Sequence, residues 1–216
     1  MKVLSTRKAN GAMTLLEVLV VIATLVVVFA YLVPRQHPPR PVSVVCMSHL
    51  RQIDFAFLMY ADENKGDLPM QVSTNDNGTM EYLSCNETFP HYQKLAPYFY
   101  TMNVLLCPAE KERQAASDFR HLADTNLSYF LNADVSTNSP STSILAGDRS
   151  LKANGHVVSP GLFTLTTNLD MSWSDELHPA SGLLAFGDGH VEFCRAANLN
   201  SDVRRQKVAV NRLSIP

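Results

Sequence analysis

Three side chains near the C-terminus, His178, Asp188 and His190, carry imidazole and carboxylate groups that can bind metals or transfer protons. A zinc site needs a third or fourth ligand in closed geometry, and Asp148 or Glu192 would have to supply it. The nine residues between His178 and Asp188, an H-x9-D-G arrangement, are not a spacing that zinc sites use. The residue types therefore permit a metal site, but their spacing gives it no support.

The same segment, "HPASGLLAFGDGHVEFC", is also typical of a β-hairpin. Apolar residues flank Gly187, Asp188 and Gly189, and Asp-Gly between apolar runs is a strong signal for a tight turn. Glycine tolerates the positive φ that such a turn requires. The sequence favours a hairpin, with His178 as a hydrogen-bonded support, over a metal site at these residues.

Signatures of catalysis and of nucleic-acid binding are missing from the sequence. It contains no G-x-S-x-G elbow, no phosphate-binding loop and no dinucleotide fingerprint. The net charge is −2, and beyond the first twelve residues, which hold three basic side chains and no acid, 15 basic groups face 20 acidic ones. We therefore expect no enzymatic activity, no catalytic residue and no nucleic-acid partner.

The four cysteines, Cys46, Cys85, Cys107 and Cys194, are widely spaced and form no C-x-x-C pair. Free core thiols and one structural disulfide both fit this pattern. Cys46 lies on the buried face of a predicted helix and Cys107 follows a predicted buried strand. These two residues are the pair to test first.

The elements that would position these groups indicate an α+β fold. One amphipathic helix is predicted from Ser43, which can cap it, to a stop near Gly66. Its buried face is predicted from apolar residues at helical spacing: Cys46, Leu50, Ile53, Phe57 and Tyr60, widened by Met47, Phe55 and Met59.

Short strands are predicted after this helix, with loops between them. The strand candidates are Val104–Cys107, "LSYFLN", "TSILAGDRS" and "GHVVSPGLFTLT", the last interrupted at Pro160. "HYQKLAPYFY" predicts a short helix or turn, and the polar end "NLNSDVRRQKVAVNRLSIP" predicts a short helix and a tail. We expect the amphipathic helix to pack on a small antiparallel sheet with loop-rich insertions.

An apolar segment from Met13 to Val33 precedes this region and is long enough, at about 1.5 Å per residue, to cross a bilayer core as a helix. It contains one acid, Glu17, which is costly in hydrocarbon and is a functional candidate for that reason. A soluble core helix would rarely be so apolar, and a cleaved secretory signal would be shorter. A plain anchor leaves the charge of Glu17 unexplained.

Cleavage between Ala12 and Met13 would explain Glu17, because the new α-amino group of a neighbouring subunit could neutralise the carboxylate. The segment "AMTLLEVLVVIA", after a short basic leader, resembles the class III signal of type IV pilins and type II secretion pseudopilins. Ala12 stands where glycine is commoner, and Met13 stands where phenylalanine is commoner. The resemblance implies cleavage and N-methylation of Met13 by a prepilin peptidase, and assembly with other pilin-like subunits.

The resemblance extends further along the chain. "CMSHLRQI", "CPAE", "SYFLN", "LAGDR" and the H-x9-D-G arrangement (His178, Asp188, Gly189) resemble a group of pseudopilin-like proteins with prepilin-type processing. Secretion-type pseudopilins can hold calcium in a C-terminal loop, but this chain lacks the dense Asp/Asn loop that calcium would need. We therefore expect no resident cofactor, with calcium as the alternative.

The expected organisation has four parts: a basic leader (1–12), a transmembrane and assembly helix (13–33), a proline-rich linker (34–42) and an extracytoplasmic pilin-like domain (43–216). The basic leader places the N-terminus in the cytoplasm, with a single pass through the membrane. The resemblance implies that this membrane is the inner membrane of a bacterium. The proline-rich linker also fits an alternative function. In that alternative, a membrane-tethered binding or metal-dependent module uses the pilin-type leader for export and has its site at His178, Asp188 and His190.

Overall fold

The structure is a computed structural model, and it describes residues 14–32, 41–206 and 210–216. The expected cleavage point between Ala12 and Met13, and all but the last two residues of the expected linker, lie outside this range. The chain divides into two compact units, residues 1–39 and 40–216, and the boundary falls inside the expected linker. We call the described part of the second unit the body.

In the first unit, helix α1 spans Leu15–Leu32. Its residues are aliphatic apart from Glu17, Thr24 and two aromatic side chains near its end. Every side chain described from Thr14 to Phe29 is exposed. An apolar helix that buries none of its described side chains within its own unit has an apolar surface left to cover.

Helix α2 spans Val42–Glu63 and begins the body. The expected cap is wrong: Pro41, not Ser43, is the N-cap residue, and no side chain caps this helix. Proline fits because its fixed φ suits a helix start and it has no N–H to leave unpaired. At the other end, Gly66 has a φ of 91° and donates its N–H to the carbonyl of Ala61, which ends the helix near the expected stop.

The predicted buried face of α2 is confirmed along its centre and wrong at its edge. Its buried residues are Cys46, Leu50, Ile53, Asp54, Ala56, Phe57, Tyr60 and Ala61. Phe55 and Met59, expected to widen this face, are 59% and 51% exposed. One more residue on this face, Asp54, is a carboxylic acid whose burial the apolar pattern did not predict.

Among the described helices, α2 alone is long and apolar enough, by length and composition, to cross a membrane. A core helix of a globular unit satisfies the same criterion, and a third of the apolar stretch of α2 is buried in the body. The apolar stretch Leu15–Phe29 of α1 is shorter.

Loops follow α2 and contain a six-residue helix, α3, over Phe89–Lys94, within the segment where a short helix or turn was expected. Short 3-10 turns make up much of the rest: Pro69–Gln71, Thr74–Asp76, Met80–Cys85, Ala96–Tyr98, Met102–Leu105, Phe119–His121 and Asp124–Asn126. The strand expected over Val104–Cys107 is wrong, because a 3-10 turn occupies its first two residues. A short apolar run satisfies either structure, and only pairing makes it a strand.

Nine strands complete the body: β1 Tyr129–Asn132, β2 Ile144–Asp148, β3 Leu151–Ala153, β4 His156–Val157, β5 Gly161–Thr166, β6 Met171–Trp173, β7 Ser181–Phe186, β8 Val191–Arg195 and β9 Val210–Ile215. Six of them form an antiparallel sheet in the order β5-β9-β1-β2-β7-β8. A second, three-stranded sheet has the order β4-β3-β6. The expected α+β fold with an antiparallel sheet is confirmed.

Both faces of the six-stranded sheet are covered, so β1, β2 and β7 are buried along their whole length. One face packs on α2 through residues such as Leu131, Leu183 and Ala185. The other face packs on the small sheet and on helix α4, which spans Ala196–Arg205. There, Gly182 leaves room for Trp173, whose ring would lie 2.5 Å from a Cβ at position 182.

The C-terminal segment differs from the expected tail. The helix α4 lies within the segment that predicted a short helix, but the residues after it form β9, an internal strand of the large sheet. β9 pairs with β5 over six residues and with β1 over two. Its central position means that the last residues of the chain are part of the core.

Candidate functional site

The first turn of α1 holds the only charged side chain of that helix, and its contacts are local. Glu17 Oε2 accepts hydrogen bonds from the backbone N–H of Thr14, at 2.9 Å, and from the Thr14 hydroxyl, at 3.1 Å. The backbone N–H of Glu17 in turn donates to Thr14 Oγ1 at 3.3 Å. Thr14 and Glu17 thus form a capping box, a role that the sequence analysis missed although "TLLE" has its spacing.

A capping box explains why a carboxylate suits this position, but it does not neutralise the charge. The hydrogen bonds of the Glu17 side chain among the described residues all involve Oε2, which leaves Oε1 able to accept more. The rest of the described α1 surface is apolar and exposed. The helix therefore combines a broad apolar surface with one anionic group at its N-terminal end.

The hairpin predicted around Asp188 is confirmed as β7–β8. Its loop, Gly187 to Gly189, is closed by hydrogen bonds from the Phe186 N–H to the His190 carbonyl and from the Gly189 N–H to the Phe186 carbonyl. Gly189 has a φ of 92°, which glycine adopts at low cost. The turn thus accounts for both Asp188 and Gly189.

Asp188 and His190 form a local pair on this turn. Asp188 Oδ1 accepts hydrogen bonds from the backbone N–H and the ring Nδ1 of His190, whose ring stacks on Phe186 at 4.3 Å between centroids. Burial is the largest single influence and raises the pKa of Asp188, but the two hydrogen bonds from His190 and the charge of its ring together outweigh burial and lower the pKa. Both side chains remain about two-fifths exposed, so the pair is a surface feature.

His178 lies at the opposite end of β7 from this pair, and its side-chain contacts are at that end of the hairpin. The six residues of β7 span about 20 Å at about 3.3 Å each. A metal site shared by His178, Asp188 and His190, on which the tethered-module alternative depended, is therefore ruled out by geometry. Of the two further ligands considered, Asp148 lies next to His178, whereas Glu192 lies in β8.

At its own end of β7, His178 contacts a disulfide. Cys46 of α2 and Cys107 are joined, with their Cα atoms 5.3 Å apart, and this is the pair that the sequence singled out for testing. His178 Nε2 lies 3.4 Å from Cys107 Sγ and 3.7 Å from Asp148 Oδ2. All four side chains are buried, so the sequence-distant Cys46, Cys107, Asp148 and His178 form one cluster in the core.

Arg149 holds together the loops that carry this cluster. Its guanidinium bonds both oxygens of Glu110, at 3.0 and 3.1 Å, and one oxygen of Glu176, at 2.6 Å. Glu110 follows Cys107 by three residues and Glu176 precedes His178 by two. The sequence analysis missed this ion-pair network, although "LAGDRS" was recognised as a strand.

Burial dominates the protonation of the cluster. It raises the pKa of Asp148 to about 7, against the opposing effects of a hydrogen bond from the Leu183 N–H and of the Arg149 charge. Burial also lowers the pKa of His178. Burial therefore shifts both groups towards their uncharged forms, as expected for partners in a core.

A second buried acid, Asp54, lies near the hairpin turn. A Cβ placed on Gly189 would be 3.3 Å from Asp54 Oδ2. Burial and the nearby Asp188 charge raise the pKa of Asp54 to about 7, with His190 opposing them, and neither oxygen has a hydrogen-bond partner among the described residues. The helical spacing from Leu50 and Phe57 was the signal that could have identified Asp54 as buried.

Cys85 and Cys194 are free, and Cys194 Sγ donates to Asp202 Oδ2 at 3.1 Å inside the body. Comparison of the chain with known protein families, with curated proteins and with solved structures finds no match.

Proposed function

We propose that this chain is a pseudopilin-like subunit, anchored in the bacterial inner membrane by residues 13–33 and assembled through that helix into a pilus-like or secretion-type filament. The observation that carries the proposal is the surface of α1, apolar and exposed over its described length, with one carboxylate in its first turn. The function is structural: the body is displayed outside the membrane, and no step of it is catalytic.

The choice of α1 over α2 as the membrane element is supported by what each helix buries. α2 provides Cys46, Leu50, Ile53 and Phe57 to the main core, so placing it in lipid would dismantle the body. The described side chains of α1 are exposed. Burying apolar area in lipid or against like helices is favourable by about 25 cal/mol per Å², so α1 gains by either route.

Glu17 supplies the register in this proposal. Inside hydrocarbon the charge of Glu17 is costly unless a nearby cation neutralises it, and the capping box with Thr14 does not neutralise it. Cleavage after Ala12 by a prepilin peptidase gives Met13 a new amine, which is N-methylated and still cationic. The amine of one subunit then pairs with Glu17 of the next and fixes their axial offset.

Substitution of Glu17 tests this pairing, and glutamine is the matched control for the capping box. Glu17→Gln keeps an acceptor for Thr14 but removes the charge, whereas Glu17→Ala removes both. We expect both variants to insert in the membrane and both to lose most of the intersubunit crosslinks that cysteines introduced in α1 give in the unsubstituted chain. Normal crosslinking of Glu17→Gln would show that Glu17 acts only as a cap and would contradict the pairing.

A further inference from the structure

We infer that Cys46, Cys107 and His178 form a zinc site when the disulfide is reduced, so that this cluster alternates between a disulfide and a metal-bound dithiolate. The two sulfurs and one imidazole nitrogen lie within 4.8 Å of one another, and all three residues are buried. The site is separate from α1, and the inference does not depend on the proposed assembly function.

The ligand types and the distances between the ligand atoms fit a tetrahedral zinc site. Zinc takes thiolate and imidazole ligands at about 2.0–2.3 Å, which places tetrahedral ligands about 3.3–3.8 Å apart. The 3.4 Å between His178 Nε2 and Cys107 Sγ already falls in that range. The Cys46–Cys107 separation must grow on reduction, and breaking their bond allows it.

A second observation points to a ligand at this place. Asp148 is fully buried, its Oδ2 lies 3.7 Å from His178 Nε2, and its Oδ1 has no hydrogen-bond partner among the described residues. In the disulfide form, Cys107 has no S–H to offer the imidazole. A bound cation would be a partner for both the imidazole of His178 and the carboxylate of Asp148. Asp148 can then fill the fourth position of a zinc ion.

The change between the two states is a two-electron reduction. A phosphine reductant breaks the S–S bond and becomes a phosphine oxide, and one water supplies its oxygen and the two thiol protons. Zn²⁺ then replaces both protons, which leave to solvent, and binds the two thiolates and neutral His178. In the reverse direction, hydrogen peroxide accepts the two electrons of the dithiolate and two protons from solvent and becomes two waters, which re-forms the disulfide and releases the ion.

Zinc content of the full chain in detergent tests the inference. We expect about one zinc per chain after phosphine reduction, incubation with zinc chloride and desalting, and close to none in the oxidised chain. Cys46→Ser should lose the metal, whereas Cys85→Ser, which removes an exposed thiol outside the cluster, should retain it. Substitution of Co²⁺ for zinc should give the intense visible bands of a tetrahedral thiolate site.

Alkylation of the unsubstituted chain provides the answer even if Cys46→Ser fails to fold. Zinc should slow maleimide modification of Cys46 and Cys107 at least tenfold and leave that of Cys85 unchanged. A reduced chain that holds no zinc, folded or unfolded, contradicts the inference. Equal zinc content in the reduced and oxidised chains, or equal protection of all three cysteines, contradicts it too.

Discussion

Helices α1 and α2 have similar lengths, 18 and 22 residues, and both are rich in apolar residues, yet they differ in what they bury. α2 buries one face in the core of the body and exposes the other. α1 exposes every side chain described in it. Length and composition alone select α2 as a membrane helix, whereas burial selects α1 as the helix that needs a partner outside its own unit.

Glu17 of α1 and Asp54 of α2 also differ in their surroundings. Glu17 lies in the first turn of α1, where its carboxylate accepts hydrogen bonds from Thr14. Asp54 lies in the middle of α2, buried and without a hydrogen-bond partner among the described residues, and its raised pKa favours the neutral form. Under the proposed function, Glu17 pairs with an amine of a neighbouring subunit, whereas Asp54 is part of the core of the body.

Removing a phenylalanine from each helix should give the largest contrast. Phe57 of α2 is fully buried, so Phe57→Ala should lower the free energy of unfolding of the body by about 3–5 kcal/mol. Phe29 of α1 is 72% exposed, so Phe29→Ala should leave that free energy unchanged. Urea denaturation of both variants in detergent gives the measurement, and equal losses would remove the distinction between the helices.

A charge introduced at an exposed position of each helix sharpens the contrast in the membrane. Leu25→Arg in α1 should oppose insertion by about 2.5–3.5 kcal/mol, the cost of arginine near the centre of a span. Phe55→Arg, at an exposed position of α2, should have no effect on membrane association. Carbonate extraction of membranes measures the bound fraction, and release of Phe55→Arg instead would make α2 the anchor.

The buried acid of α2 predicts a pH dependence that α1 does not share. The pKa of Asp54 rises from 3.8 to about 7 on folding, so between these values the folded chain holds a proton that the unfolded chain releases. Stability should therefore fall as pH rises through this window. Asp54→Asn should reduce that slope and stabilise the body at pH 8 by on the order of 1–3 kcal/mol.

Thermal unfolding between pH 4 and 8 gives this measurement. Part of the slope should persist in Asp54→Asn, because the pKa of Asp148 is raised to about 7 as well. An unchanged slope would mean that Asp54 is ionised in the folded body.

The smallest expected effect concerns how each helix starts. Thr14→Ala removes the side-chain cap of α1 and should weaken its first turn by about 1 kcal/mol. Ser43→Ala should leave the start of α2 unchanged, since Pro41 occupies the N-cap position there. Amide hydrogen exchange of the first turn of each helix measures both effects, and a loss of protection in Ser43→Ala would restore serine as the cap.

Local signals in the sequence were sufficient for part of this structure. The spacing of Leu50, Ile53 and Phe57 predicted the buried face of α2, because helical periodicity is a property of neighbouring residues. Asp188 and Gly189 predicted the hairpin for the same reason: a turn is specified within four residues.

What the sequence could not predict depends on partners far along the chain. β9 has a polar, tail-like sequence, and it is a strand because β5 and β1 pair with it. The apolar run at Val104–Cys107 has no such pairing, so its first residues form a 3-10 turn. Likewise, nothing in the spacing of Asp148 and His178 brings them beside the disulfide; the order of β2 and β7 in the sheet does.

Mass spectrometry of the N-terminus of the protein, isolated from the membranes of its own cells, tests the central claim most directly. The proposed pairing of subunits requires a cationic amine on Met13, so the account predicts a chain that starts at N-methylated Met13. A chain that still carries residues 1–12 would lack that amine. It would leave Glu17 as a helix cap and reduce α1 to a simple anchor.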